Sequence, residues 1–186
     1  SGQAINPQLY VQLVRDGNKP PGESSFYSTF TGPAFYTDAK KFQKVEFSDI
    51  EKNKAEFVTS SPDGWVAMVQ HYFASAWLLP DGKPRENFAR KIDQNLYAAG
   101  MITPIGAIAP GATAAVDARL FIGPQEEKVL ESIAPGLELV KDYGFFTILS
   151  KPLYWLLDKL HGVIGNWGWS IVALVFLLKI LFYPLN

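Results

Sequence analysis

Ala114-Ala115-Val116-Asp117-Ala118-Arg119-Leu120-Phe121-Ile122 carries Ala114, Val116, Ala118, Leu120 and Ile122 on one side and Ala115, Asp117, Arg119 and Phe121 on the other. That period of two predicts a strand with one buried face. The pattern returns upstream. Leu9, Val11 and Leu13 alternate with Tyr10, Gln12 and Val14, and the segment stops at Asp16-Gly17-Asn18-Lys19-Pro20-Pro21-Gly22, a turn or loop by its glycines and prolines. Trp65 to Leu79 is an aromatic, β-rich run opened by Pro62-Asp63-Gly64 and closed by Pro80-Asp81-Gly82, and Ile92 to Met101 is a further candidate strand. Gln125 to Ala134 is the exception, a short helix with glutamates in its first turn, ended by Pro135-Gly136. Short strands separated by turn signals predict a mainly β fold, an antiparallel sandwich in place of a βαβ arrangement.

Composition narrows the chemistry. The 186 residues include 17 basic and 18 acidic side chains, a net charge of −1, so no electrostatic footprint for nucleic acid exists. Cysteine is absent, which excludes disulfides, iron–sulfur clusters, thiolate zinc sites and a cysteine nucleophile. Two histidines, His71 and His161, are too few for an imidazole metal cage. No GxSxG, HExxH or phosphate-binding loop occurs; Gly22-Glu23-Ser24-Ser25-Phe26 fails at its last position. Ser24 and Ser25 read as loop hydrogen-bonders and His71 as a sheet residue. Trp65 and Trp77 read as core aromatics, or as the lining of a sugar groove. No catalytic residue, cofactor site or metal site is assigned, and the chain is expected to bind and position, not to catalyse.

The averages conceal a break near residue 145. Only Lys151, Asp158, Lys159 and Lys179 are charged from Phe145 to Asn186, so residues 1–144 carry −3 and the tail +2. Over 145–165 the leucines and valine at 149, 153, 156, 160 and 163 form one apolar stripe, with Lys151, Tyr154, Asp158 and His161 opposite. Ser150 is placed to cap this helix and Pro152 to sit in its first turn. Such a helix lies in the membrane interface, or packs on the β domain.

Residues 166–186 read as a transmembrane helix. Trp167 to Tyr183 holds ten Ile, Leu, Val or Phe residues and one charge, Lys179. Those ten contribute about −3 to −6 kcal/mol to insertion against roughly +3 for a central lysine. Trp167 and Trp169 at one end and Tyr183 at the other are candidate interface anchors. Lys179, off-centre, either extends to the nearer interface or serves a hydrated cavity. A buried core helix is the competing reading, though it leaves the paired aromatic ends unexplained.

Several stretches carry a family resemblance. Gly22-Glu23-Ser24-Ser25-Phe26-Tyr27-Ser28-Thr29-Phe30-Thr31-Gly32-Pro33 and Asp63-Gly64-Trp65-Val66-Ala67-Met68-Val69-Gln70-His71-Tyr72-Phe73 resemble the large periplasmic domain of the Gram-negative YidC insertases, within the YidC/Oxa/Alb family. Asp142-Tyr143-Gly144, Pro152-Leu153, Gly165-Asn166-Trp167-Gly168-Trp169-Ser170-Ile171 and Tyr183-Pro184-Leu185 resemble that family's interfacial helix and second transmembrane helix. The resemblance is collinear over nearly the whole chain and implies an internal piece of a longer, multi-pass protein of the bacterial inner membrane. It implies a β-supersandwich of galactose-mutarotase type for 1–144, in the periplasm. It implies a membrane protein insertase and chaperone that meets nascent integral membrane proteins and lipid, alone or with the Sec translocon and SecDF. It also implies a groove charge at Lys179, where the family usually has Arg; the ammonium lacks the bidentate geometry of a guanidinium. A membrane-anchored carbohydrate-binding module is the alternative. A tethered hydrolase is disfavoured, since no nucleophile–base constellation is visible.

Overall fold

Strand β1, Gln8–Asp16, buries Leu9, Val11 and Leu13 to varying depth and turns Gln8, Tyr10, Gln12 and Val14 outward, as the period of two requires. It ends where Asp16 Oδ1 accepts the Asn18 N–H at 2.9 Å, a local turn that competes with continued pairing. The structure is a computed structural model and describes residues 2–19, 29–141 and 147–183, the side chains of 147–151 excepted. Ser24, Ser25, most of the 22–33 stretch, Asp142-Tyr143-Gly144 and Pro184-Leu185 lie outside the described residues. The chain divides into two compact units, Ser1–Asp142 and Tyr143–Asn186.

The first unit is mainly β. After β1 come β2 (Gly32–Thr37), β3 (Lys41–Lys44), helix α1 (Phe47–Glu51), β4 (Ser60–Ser61), β5 (Trp65–Val69), β6 (Phe73–Leu78), β7 (Arg85–Asp93), β8 (Leu96–Pro104), β9 (Arg119–Pro124) and helix α2 (Glu127–Ile133), then a 3₁₀ turn at Leu137–Val140. They make two antiparallel sheets, ordered β1-β8-β7-β4 and β3-β2-β5-β6-β9. Between the sheets pack Val11, Phe35, Val66, Met68, Ala99 and Met101. On the far face of the five-stranded sheet Tyr36, Trp65, Val69 and Leu78 meet Leu130, Leu137 and Val140 from α2 and the 3₁₀ turn. Covered on both faces, β2 and β5 are buried at every residue, which is why neither shows alternation in sequence.

Four sequence expectations shift. The strand over 114–122 begins only at Arg119, because its partner β6 ends at the Leu78↔Arg119 pair and Pro80 beyond has no N–H for a ladder. The run Trp65–Leu79 is two strands, hinged at Gln70-His71-Tyr72, where the Gln70 N–H donates to the Phe73 carbonyl at 2.9 Å. The candidate strand Ile92–Met101 straddles a hairpin. β7 ends at Asp93, Gln94-Asn95 make the turn with Asn95 at φ +53°, and β8 begins at Leu96. The expected helix at 125–134 is present and shorter, Glu127–Ile133.

Two consecutive Pro-Asp-Gly turns are tied together by Arg85. Its guanidinium is buried and donates to the carbonyls of Gly64 (2.8 Å), Leu79 (3.4 Å), Pro62 (3.1 Å) and Pro80 (2.6 Å), with Asp81 Oδ1 at 3.7 Å. Burial pushes its pKa down from the usual arginine value, with Asp81 and then Asp63 acting the other way.

The second unit is a helical pair, α3 (Thr147–Ile164) and α4 (Trp167–Phe182). α3 starts at Thr147, so Ser150 lies inside it and is not its cap, and Pro152 lies in its second turn, where the missing N–H forgoes one helical bond. Of the expected stripe, Leu153, Leu156 and Leu160 are half-buried while Val163 is exposed; Leu149 falls among the side chains outside the description. Gly165, at φ +71°, ends α3 with its N–H on the His161 carbonyl at 2.7 Å. Asn166, in extended backbone, starts α4 by accepting the Trp169 N–H at 3.2 Å. The span expected over 166–186 is thus a helix of 16 residues, about 24 Å long. Among the described residues no helix is long and apolar enough to cross a membrane.

Candidate functional site

The sequence placed its functional residues on the helical pair, and the geometry there starts from the Gly165-Asn166 junction. Asn166 holds three donors: its side chain takes the Trp169 N–H, and its carbonyl takes the Ser170 N–H at 3.0 Å and the Ser170 hydroxyl at 2.8 Å. Ser170 is fully buried, the one described residue of α4 that is. Trp167 folds back on α3, its indole stacked on the His161 imidazole with centroids 3.8 Å apart. Ser170, Ala173, Leu174 and Leu178 are the less exposed positions of α4 and recur at helical spacing, the stripe that α3 covers.

Lys179 falls on the opposite side. At about 100° per residue it lies roughly half a revolution from Ser170, sharing its face with Val172, Val175, Phe176 and Tyr183. Its side chain is exposed, as are these neighbours. Along the axis it is about 18 Å from Trp167 and about 6 Å from Tyr183, within reach of a lysine side chain. Trp169 and Tyr183 are exposed, and Trp167 is half-exposed against His161. The structure therefore separates the three aromatic residues: Trp167 is engaged within the helical pair, whereas Trp169 and Tyr183 project outward. The His161–Trp167 contact had no signature in sequence spacing, since it depends on the chain reversing at Gly165.

Trp65 is 3% exposed, stacked on Tyr36, and its indole N–H donates to the Pro135 carbonyl at 3.0 Å. Trp77 sits at the sheet interface and donates to the Gln12 carbonyl at 3.1 Å. Trp65 is thus a buried structural aromatic, and Trp77 is partly buried between the sheets. His71 pairs with Thr29 and meets the edge of Tyr72 in the β5–β6 turn. A concavity of about 490 Å³ is lined by Lys19, Thr29, Thr31, Lys44, Glu46 and Phe47 among others, with one carboxylate and no histidine among the described residues. Among the described residues no group of three or more His, Asp or Glu could hold a metal ion.

A two-sheet antiparallel β domain followed in sequence by a helical pair, its second helix apolar but for Lys179, defines the class of protein. Comparison with known proteins gives this class its family. A family model described as the YidC periplasmic domain matches residues 1–156, and the chain belongs to that family. It is 60% identical over 182 residues to the membrane protein insertase YidC of Cupriavidus taiwanensis, covering 98% of this chain and 32% of that protein. It is 59% identical over 183 residues to the YidC of a Janthinobacterium species (98% and 32%) and 59% identical over 182 residues to that of Burkholderia vietnamiensis (98% and 33%). The chain thus spans about a third of the length of the curated relatives it matches.

Proposed function

We propose that the chain is a working part of a membrane protein insertase of the bacterial inner membrane. In this reading residues 1–144 form the C-terminal part of a periplasmic β-supersandwich of galactose-mutarotase type. Residues 145–165 are an interfacial helix, and 166–186 cross the bilayer, completing a span whose described helical part is α4. The observation that carries the reading is α4 itself, with apolar side chains exposed around most of its circumference and Lys179 its only charged residue. Water is a poor solvent for such a helix, since Ile171, Val172, Phe176, Ile180 and Leu181 are all left uncovered by α3. Kinship to YidC insertases at about 60% identity supports the same reading.

The mechanism follows from electrostatics. Carrying an acidic flank of a nascent membrane protein into hydrocarbon costs several kcal/mol unless water or an opposite charge meets it partway. An ammonium held near one end of a membrane helix, facing away from α3, is placed to meet that flank while its apolar continuation passes into lipid. No covalent bond is made or broken, so the work is insertion and chaperoning, not catalysis. Lysine gives a compact point charge where a guanidinium would bind a carboxylate bidentately, so recognition rests on charge alone. Docking to the Sec translocon and SecDF belongs to this reading and is assigned to no residue. The test uses the full-length protein with Lys179→Ala and Lys179→Glu, following insertion of a substrate with an acidic translocated tail. Slower insertion is expected in both, more so with Glu; unchanged insertion in both removes Lys179 from the mechanism.

A further inference from the structure

A tryptophan stands on the polar side of α3. The half-buried leucines of that helix are Leu153, Leu156, Leu157 and Leu160. Trp155 is turned about 150° from the middle of this set and is 61% exposed. Lys159 follows four residues on, and its Nζ lies 6.0 Å from the centre of the Trp155 indole. Lys159 is exposed as well, and among the described residues its ammonium has no carboxylate partner. Position 151 begins the same row, so 151, 155 and 159 read Lys-Trp-Lys. At the other end of the row a Cβ on Gly162 would meet nothing within 4 Å, so space stays open beside Lys159. The half of the chain's charge asymmetry that falls here is positive, +2 over residues 145–186.

We infer that Trp155 and Lys159 form a binding site for the phosphate of an anionic membrane lipid. The inference deepens the reading of residues 145–165 as an interfacial helix and rests on it. A helix so placed sinks its apolar face about 5–10 Å into the boundary between headgroups and acyl chains, which leaves its polar face among the phosphates. There the ammonium meets the charge of a phosphodiester, and the indole N–H is a second donor beside it. The ring itself covers the glycerol region, the level that tryptophan favours in a bilayer. A zwitterionic lipid brings its own cation to its phosphate, whereas an anionic lipid leaves that place to Lys159. One lysine at a membrane surface gives a preference of about fivefold for the anionic lipid.

Fluorine NMR of the full-length protein, labelled with 5-fluorotryptophan in phosphatidylcholine nanodiscs, tests this, the Trp155 resonance being assigned by Trp155→Phe. Stepwise replacement of phosphatidylcholine by phosphatidylglycerol is expected to move that resonance saturably. Lys159→Gln should raise the phosphatidylglycerol needed for half the movement about fivefold, and Lys159→Arg should restore the parent curve. No movement, or the same curve with Lys159→Gln, would overturn the inference. Equal movement on adding glycerol phosphate in solution would assign the two groups to a free phosphate and overturn it too. A lipid spin-labelled at its headgroup, added to phosphatidylcholine alone, separates this inference from the reading beneath it. A broadened Trp155 signal that ignores phosphatidylglycerol would sink the lipid site alone, whereas an unbroadened signal would sink the interfacial helix with it.

Discussion

His161 and Trp167 lie face to face across the turn between α3 and α4, their planes 12° from parallel. The contact joins the last turn of one helix to the first residue of the next, so it sets the direction in which α4 leaves Gly165. Stacked pairs of this kind contribute about 0.5–1.5 kcal/mol beyond the area they bury. His161→Ala is expected to free the Trp167 indole while leaving the other tryptophans unchanged. Fluorine NMR of 5-fluorotryptophan protein checks this: one resonance, assigned by Trp167→Phe, should move, and an unmoved resonance would show that the stack does not order the turn.

Arg85 is expected to be the most sensitive single position of the β unit. Its four carbonyl acceptors come from two turns that are otherwise joined by the Gly82 N–H on the Pro62 carbonyl at 2.9 Å and a long contact from the Gly64 N–H to Asp81. Arg85→Met fills much of the space but leaves buried carbonyls without donors, at about 3 kcal/mol or more. Arg85→Lys should recover only part, since one ammonium cannot reach both turns in the same plane. Chemical denaturation of the three proteins ranks them.

Two glycines separate strain from crowding. Gly64 has φ +96°, and a Cβ there would sit 1.8 Å from the Tyr36 carbonyl oxygen. Gly165 has φ +71° with nothing within 4 Å. Gly165→Ala should cost about 1–2 kcal/mol, the left-handed penalty alone. Gly64→Ala should cost more than that and shift β2 against β5, visible as faster hydrogen exchange at Tyr36 and Trp65.

The acid limb of stability is expected to report on Glu51. Its carboxylate accepts from Lys91 Nζ at 2.6 Å and the Tyr97 hydroxyl at 2.7 Å, tying α1 to β7 and β8. These bonds, Lys91's first, hold its pKa below the usual carboxylate value. Because the folded value is the lower one, the contribution is complete above the ordinary carboxylate range and disappears as pH falls through the folded value. Glu51→Gln should therefore give a flatter loss of thermal stability between neutral pH and about pH 3. A slope equal to the parent's would show that the carboxylate is not responsible.

Alternation made β1 legible in sequence, whereas β5, covered on both faces, showed only as an aromatic run between turn signals and β2 did not show at all. β1 was legible because Gln8, Tyr10 and Gln12 alternate with a buried set, whereas β2 reads Gly-Pro-Ala-Phe-Tyr-Thr and is buried throughout. Ala114 to Ala118 alternate too, yet form no strand, because pattern records what a residue could bury and not whether a partner strand extends that far. The Arg85 hub was invisible because its acceptors are backbone carbonyls of turns, which any residue carries. On the helical pair, Lys179 stood out as the one charge in an apolar run. Its separation from the α3-covered stripe needed the position of Ser170, which only the folded turn fixes.

With the β unit in the periplasm, the proposed span would carry Lys179 into the cytoplasmic half of the bilayer, and its role as a groove charge requires water there that opens to the cytoplasm. Lys179→Cys and Trp169→Cys in the full-length protein, freed of other cysteines, would be exposed to a small charged methanethiosulfonate reagent added to one face of sealed inner-membrane vesicles at a time. Position 179 is expected to react from the cytoplasmic face alone and position 169 from the periplasmic face alone. Reaction of both positions from the same face would contradict a membrane span between them, and failure of position 179 to react from the cytoplasmic face would contradict the hydrated site.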